Sequence, residues 1–389
     1  MLQLLHFFLK QKYQITVAST ASESDLSMNL AALGISKASI QLNHKSFDMF
    51  IKGLVPDVVL FDRFLTEEQF GWRVAEFAPN ALRILDTEDL HSLRQTRESC
   101  FKKGIHFTPE AWLQADITKR EIASIYRSDI SLIISSYEMN LLKESIRIDE
   151  TILMHLTFML ETITEKDIDG WTPFENRQDI VCMGNGRHAP NVDAVVWLKT
   201  EIWPLIRKQL PTINLKIYGA YLPEQVLQMH KPEEGFLIQG WAPNANEVLQ
   251  QARVNLAPLR FGAGLKGKRI GTMQSGVPSV AAPIGAEGMH TDLEFNGSIA
   301  ETSESIADAA VALYTNQYTW QKAQVTGVAN INEVYDETTW REKLSAKITT
   351  VQGNLEGHRT RNYVGTILQH QTMASTKYMS KWIGAKNRQ

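Results

Sequence analysis

The sequence predicts an α/β fold built from two doubly wound halves, each a parallel sheet covered by helices. Three observations predict it. Short apolar runs alternate with longer segments of helical periodicity, the pattern of βαβ units with right-handed crossovers. A polar stretch at 161–178, ETITEKDIDGWTPFENRQ, is broken by Gly170 and Pro173 and divides that alternation in two. A chain of 389 residues also exceeds what one hydrophobic core usually serves.

The elements follow in order. Residues 1–10 repeat Leu2, Leu4, Leu5, Phe8 and Leu9 at helical spacing. Strands are expected at 14–18, 38–42, 58–61, 82–85 and 130–135, with helices such as 66–77 and 116–126 between them. A doubly wound unit ordinarily opens with a strand. The first half, 1–165, therefore reads as one lacking its first strand, which would leave backbone edges and apolar helix faces uncovered. The second half, 172–350, has strands expected at 180–183, 215–218, 236–239, 254–257 and 280–282. Its helices are expected from 191 or 192 to about 203, at 303–314 and at 338–350. The C-terminal segment, 351–389, holds an amphipathic stretch at 360–384 with Tyr363, Ile367, Met373, Tyr378, Met379 and Trp382 as its apolar positions. Packing against the first half is its expected role. A membrane-surface helix carrying Lys377, Lys381, Lys386 and Arg388 is the second reading.

Composition narrows the class. Hydrophobic residues make up 43% of the chain, enough for a sizeable core, and the formal net charge is −3, which points to no nucleic-acid partner. Cys100 and Cys182 lie far apart and read as free thiols of a reduced cytosol. No run reaches the roughly 20 apolar residues of a membrane span. The opening MLQLLHFFLK lacks the basic start and cleavage site of a signal peptide. A cytoplasmic protein is expected.

Ligands of parallel sheets gather at the carboxyl ends of strands. Two such ends in the first half are polar: Phe61-Asp62-Arg63-Phe64, and Asp86-Thr87-Glu88-Asp89-Leu90-His91 followed by Arg94 and Arg97. The second set has the chemistry to orient a hydroxyl acceptor or touch a sugar. It reads equally as a capped helix start, with Thr87 or Asp89 as N-cap and the arginines at ion-pair spacing. Its histidine has no HxH or HxxxH partner to suggest a metal site.

The richest stretch is 255–289, NLAPLRFGAGLKGKRIGTMQSGVPSVAAPIGAEGM. Pro258 ends a strand. The loop holds Gly262, Gly264 and Gly267, interleaved with Lys266 and Lys268, and runs into a helix that Gly276 and Pro278 stop. Glycines let backbone N–H groups approach an anion, a helix start adds positive potential, and lysines neutralise phosphate. The stretch is neither a GxGxxG fingerprint nor a P-loop, since Arg269 follows Lys268. A phosphate-bearing ligand is one reading, and an ordinary βα loop with solvated lysines is the other.

The run APLRFGAGLKGK, its helix and SGVPSVAAPIGAEGM together resemble the donor-nucleotide segment of group 1 (family 4) retaining glycosyltransferases of the GT-B fold. The resemblance extends back through the strand at 180–183, the loop Gly184-Asn185-Gly186-Arg187-His188 and a helix ending in Ile202-Trp203-Pro204. It implies two Rossmann-like domains facing a cleft, the first on the acceptor side and the second on the nucleotide-sugar side, with a C-terminal helix crossing back. It implies sugar transfer with retention from a nucleotide-diphosphate sugar to a hydroxyl acceptor (a glycan, lipid or small molecule), without metal or resident cofactor. By motif position, Gly264, Leu265 and Lys266 fall on the diphosphate loop and Lys268 opens its helix. Arg187 and His188 lie within reach of the diphosphate. Gly219 and the Gly240-Trp241-Ala242 turn sit beside the base, Glu287 faces the donor sugar, and His91 stands on the acceptor side. The family usually carries two glutamates eight residues apart, and Ala263 and Gly271 stand at those positions. The expected catalytic set is Lys266, His91 and Glu287, acting mainly by electrostatic stabilisation of the leaving diphosphate. A catalytically inactive GT-B-like binding or scaffold subunit is the alternative, and a sugar-nucleotide epimerase of the same fold is a third reading.

Overall fold

The computed structural model describes residues 1–22 and 27–386, with Thr372 and Met373 described in their backbone only. The side chain of Met373, and Arg388 altogether, thus lie outside the described residues.

The strands are β1 (Thr16–Ser19), β2 (Ser36–Ser39), β3 (Val58–Asp62), β4 (Leu82–Asp86), β5 (Ile130–Ile133), β6 (Leu153–His155), β7 (Gln178–Met183), β8 (Leu215–Tyr218), β9 (Phe236–Gly240), β10 (Ala252–Ala257), β11 (Ser279–Ala281) and β12 (Gly297–Ile299). Neighbouring strands in every sheet run parallel. Two of the strands, β6 and β12, were not expected from the sequence.

The second half is doubly wound. Its order is β12-β11-β10-β7-β8-β9, so the chain builds outward one way from β7, then returns and builds the other way from β10. The carboxyl ends of β7 and β10 flank the point of reversal, where a crevice opens in such sheets. Helices cover both faces over a core of Ile180, Leu215, Ile217, Val254, Leu256, Trp203, Ile206 and Leu313.

The first half is divided. The order β3-β4-β5-β6 forms one sheet and β1-β2 another. Among the described strands, none pairs with β3 on its outer side, and Val58, Val59 and Leu60 there are only half-buried. One face of the larger sheet packs on the helices Arg63–Phe77 and Asp116–Arg127. The opening helix Leu2–Lys10 covers the other through Leu4, Phe7 and Phe8, together with Leu344, Ile348 and Val351 from the helix Glu337–Gly353.

That last contact is the chain crossing back to the first half. His358 Nε2 lies 2.8 Å from the Asp129 carbonyl oxygen, and Asn362 Nδ2 donates to the Tyr126 carbonyl at 2.7 Å. Arg359 reaches both oxygens of Asp129 at 2.8 and 2.7 Å. Burial works against the Asp129 charge, but Arg359 and Arg83 outweigh it and hold the carboxyl below its usual range. In the second half, the fully buried Arg177 donates to the carbonyls of Thr172, Leu249, Ala252 and Ser275, which pins the start of β7 beside the start of β10.

Candidate active site

The glycine loop leaves β10 at Pro258 and enters the helix Gly267–Gln274. Two of its glycines adopt conformations that L side chains avoid, Gly262 with φ 148° and Gly264 with φ 64°. Gly264 has a second reason to be glycine: a Cβ there would stand 2.7 Å from that of Asp89 in the first half. The loop after β4 therefore lies directly on the loop after β10.

Lys266 is turned inward. Its ammonium donates to the carbonyls of Gly264 at 2.6 Å and Ala263 at 3.1 Å. Burial pulls its pKa down to about 8, although the carboxylates of Glu287 and Glu138 favour the cation. Two of its three protons thus brace the loop itself. Leu265 packs into the small apolar cluster around Met273, Met289 and Tyr335. Lys268, two residues on, is exposed.

Two buried glutamates fix the facing loop. Glu138 Oε1 accepts from the Leu90 N–H at 2.9 Å and from the Gly264 N–H at 3.0 Å, while Oε2 accepts from Ser135 Oγ at 2.9 Å. One carboxylate so ties a loop of the first half to a loop of the second. Burial raises the Glu138 pKa to about 7 against the pull of these donors. Glu121 accepts from the N–H groups of His91 (3.0 Å) and Ser92 (2.9 Å). It thereby caps the helix His91–Lys102 from a different helix, where Thr87 or Asp89 was the expected cap. Its carboxyl too is pushed up by burial, to about 7.

His91 stands at that helix start, with Nε2 3.2 Å from Asp89 Oδ1 and its ring edge-on to Phe64. Burial lowers its pKa, and Arg94 adds to the effect while Asp89 opposes it. A neutral ring donating from Nε2 to Asp89 leaves Nδ1 as an acceptor. Arg94 Nη1 also reaches Asp89, at 3.3 Å. Across the crevice His188 is depressed by burial and then by Arg94 and Lys268. Cations of both halves therefore share one space above the glycine loop.

Glu287 has a protein partner that the sequence did not suggest. Both its oxygens accept from Arg97, each at 2.8 Å. Arg97 Nη1 also donates to the Gly262 carbonyl at 2.9 Å, and its guanidinium lies over the rings of Phe107 and Tyr137. With each oxygen bound to Arg97, Glu287 is half of a clamp between the two halves, and each oxygen keeps a further acceptor site. From the sequence Arg97 was noted only within the polar stretch after β4, at ion-pair spacing, and Glu121 and Glu138 were not singled out.

The remaining expected positions lie further round the crevice. Arg187 stacks 3.7 Å over the Tyr221 ring, and with Phe101, Lys102, Asp193 and Phe261 it lines an open groove of about 530 Å³. Gly219 and Gly184 pack backbone on backbone, since a Cβ on Gly219 would stand 1.8 Å from the Gly184 oxygen. Gly240 has φ 74° and Trp241 beside it is 68% exposed. Gly271 has room: a Cβ there meets only Leu249, at 3.6 Å. Among the described residues no group of three or more His, Cys, Asp or Glu side chains is placed to hold a metal ion.

Residues 177–316 match the family of glycosyl transferases group 1, and solved structures with the same architecture span both halves. Residues 177–316 thus resemble a group 1 glycosyl transferase segment, and the chain has the GT-B fold. Sucrose-phosphate synthase from Thermosynechococcus elongatus superposes with a TM-score of 0.67 at 12% identity, covering 90% of this chain and 92% of that one. Anabaena HepE in complex with UDP gives 0.65 at 11%, covering 90% and 96%. TarM from S. aureus, solved with UDP, gives 0.60 at 14%, covering 77% of this chain and 58% of TarM, so the chain spans less than two thirds of that protein. No curated protein matches the sequence. In GT-B terms, the crevice described here is the interdomain cleft, and the glycine loop with its group 1 segment forms the wall on the second-half side.

Proposed function

We propose that the chain transfers a sugar, with retention and without a metal, from a nucleotide-diphosphate sugar to a hydroxyl acceptor. The observation that carries this reading is the cross-braced glycine loop, whose two positive-φ glycines are held from the first half by Glu138 and Arg97. A loop fixed in advance presents its amides and the next helix start to a diphosphate without reorganising. Lys268, Arg94 and the inward Lys266 supply positive potential for the leaving group. The exposed Trp241 after β9 offers a stacking face for the base. Neutral His91, oriented by Asp89, is placed on the first-half side to accept a proton from, or hydrogen-bond to, an acceptor hydroxyl. The UDP held by HepE and TarM supports a uridine nucleotide as the first donor to try.

A second reading is favoured by one feature: Gly271 and Ala263 carry no carboxylate, and Glu287 is engaged by Arg97. A chain so built would be a catalytically inactive binding or scaffold subunit. Calorimetric titration with UDP and GDP, followed by mass-spectrometric screening of nucleotide-sugars for hydrolysis, separates the readings. Binding with hydrolysis supports transfer, and silence from a folded chain with every nucleotide overturns transfer and favours the scaffold.

A further inference from the structure

The C-terminal helix Tyr363–Lys386 has one side committed and one side bare. On the committed side Ser380 is buried and its Oγ accepts from Arg73 Nη2 at 3.1 Å. Gln369 donates to the Arg127 carbonyl at 3.1 Å, and Lys377 pairs with Glu76 at 2.7 Å. Opposite Ser380 stand Val364, Ile367, Tyr378 and Trp382, exposed by 48, 44, 68 and 59%. At about 100° per residue, these four fall within about 40° of the direction facing away from Ser380. They form two apolar pairs on that side, separated by the exposed Gln371 and Ser375, and Tyr378 and Trp382 with the neighbouring exposed Met379 make an apolar stripe near the helix end.

Charge distinguishes this stripe from ordinary surface. The helix holds Lys377, Lys381 and Lys386 and not one Asp or Glu, in a chain whose net charge is −3. The Lys386 ammonium lies 5.4 Å from the Trp382 ring centroid. The helix end touches the Asn43 loop, where a Cβ on Gly384 would stand 2.6 Å from the Asn43 carbonyl oxygen. That loop leads through the exposed Lys45 into the helix Ser46–Leu54, which adds exposed Met49 and Lys52. Tryptophan, tyrosine and lysine on a helix lying flat are the residue types that suit the headgroup zone of a bilayer.

We propose that this face docks on the surface of a bilayer containing anionic lipids, the Tyr378–Trp382 stripe entering the headgroup zone and Lys381 and Lys386 meeting lipid phosphates. A second copy of the chain fits less well. A two-fold contact through this face would oppose two lysine-bearing surfaces with no carboxylate on the helix to offset them. No described helix is long and apolar enough to cross a membrane, so the contact is peripheral. The inference is independent of the proposed transfer chemistry, because the stripe shares no residue with the crevice.

The test is co-sedimentation of the full chain with sucrose-loaded vesicles of phosphatidylcholine alone, or of phosphatidylcholine with an equal part of phosphatidylglycerol. Binding is expected to the anionic vesicles only and to fall as salt is raised. Near an anionic surface each lysine is worth about fivefold in partitioning, so Lys381→Glu with Lys386→Glu is expected to reduce binding by more than about tenfold. Tyr378→Ser with Trp382→Ser should reduce it comparably. If that apolar pair unfolds the chain, as judged by circular dichroism, the charge-reversed pair carries the test alone. Wild-type protein left in the supernatant with both vesicle types overturns the proposal. So does binding unchanged by the lysine reversals, or a two-chain mass in light scattering that the substitutions on this face halve.

Discussion

The Arg97–Glu287 pair decides whether Glu287 is a clamp or a chemical group. Arg97 has a side chain only 5% exposed and Glu287 one only 15% exposed, and they meet through two bonds of 2.8 Å. Glu287→Gln would leave the guanidinium without its counter-charge. Breaking a buried pair from one side costs about 3–5 kcal/mol. The Gly262 carbonyl and the faces of Phe107 and Tyr137 remain to hold Arg97, which places the cost near about 3 kcal/mol. Arg97→Met keeps the apolar stem but strands Glu287 and the Gly262 oxygen, for a similar loss. Removing both charges together leaves neither stranded, so the double variant should lose about 3–4 kcal/mol, and the coupling energy should be about 2–3 kcal/mol. Urea unfolding followed by fluorescence measures each corner of the cycle. Turnover adds a second readout: once Arg97 is Met, the further change Glu287→Gln should cost no additional kcat. Additive stability losses, with coupling below about 0.5 kcal/mol, would refute the clamp. A further fall in kcat of about a hundredfold on adding Glu287→Gln would restore Glu287 as a group acting on the sugar.

Three further outcomes are expected. Lys266→Met should lower turnover by about 10²–10³ with little change in thermal stability, and wild-type turnover should decline as pH rises through about 8, where Lys266 loses its charge; an unchanged rate in the variant removes Lys266 from the mechanism. Gly271→Ala should raise stability by about 0.5–1 kcal/mol, because the added methyl meets only Leu249 at ordinary contact distance; a lower melting temperature would contradict the open position. The Glu121 carboxyl is raised from 4.5 to about 7 in the folded chain. The unfolded chain therefore ionises it first, and wild type should lose stability relative to Glu121→Gln as pH rises from about 4.5 to about 7, by up to about 3 kcal/mol; a pH-independent difference would contradict it.

What the sequence made legible was local. The fully buried β4, Leu-Arg-Ile-Leu-Asp, and the apolar runs of β7 and β10 read directly as strands, because burial on both faces demands continuous apolar residues. The three-residue β6 and β12 escaped notice, since Leu-Met-His and Gly-Ser-Ile become strands only by pairing with β5 and β11. The strand expected at 38–42 is formed by Ser36–Ser39, a mostly exposed segment whose register is set by β1. The helix expected to stop near residue 203 continues to Gln209, with a wide turn at 198–202 just ahead of Pro204. Such a turn relieves the clash that proline makes with the preceding turn. The glycine loop was legible because its conformation requires glycine. Glu138 was half legible: Ser135-x-x-Glu138 is a capping-box spacing, and Ser135 does cap the helix. Nothing local could reveal that the same carboxylate reaches Leu90, 48 positions away, and Gly264, 126 away.

These non-local braces link the shape of the binding loop to the closure of the cleft. Gly262 and Gly264 sit in backbone conformations that are favourable only for glycine, yet glycine is also the residue with most freedom to leave them. What holds Gly264 is Glu138, and what holds Gly262 is Arg97, both from the first half. If the halves part, each loop group loses its partner, and the Glu138 carboxylate and Arg97 guanidinium are left facing a wetter crevice. A ligand that bridges the loop and the first half therefore favours the braced state by its differential contacts with that state alone. Donor affinity and cleft closure are then one equilibrium, and a variant that weakens the brace without touching ligand should weaken nucleotide binding by the fraction of closed state it removes.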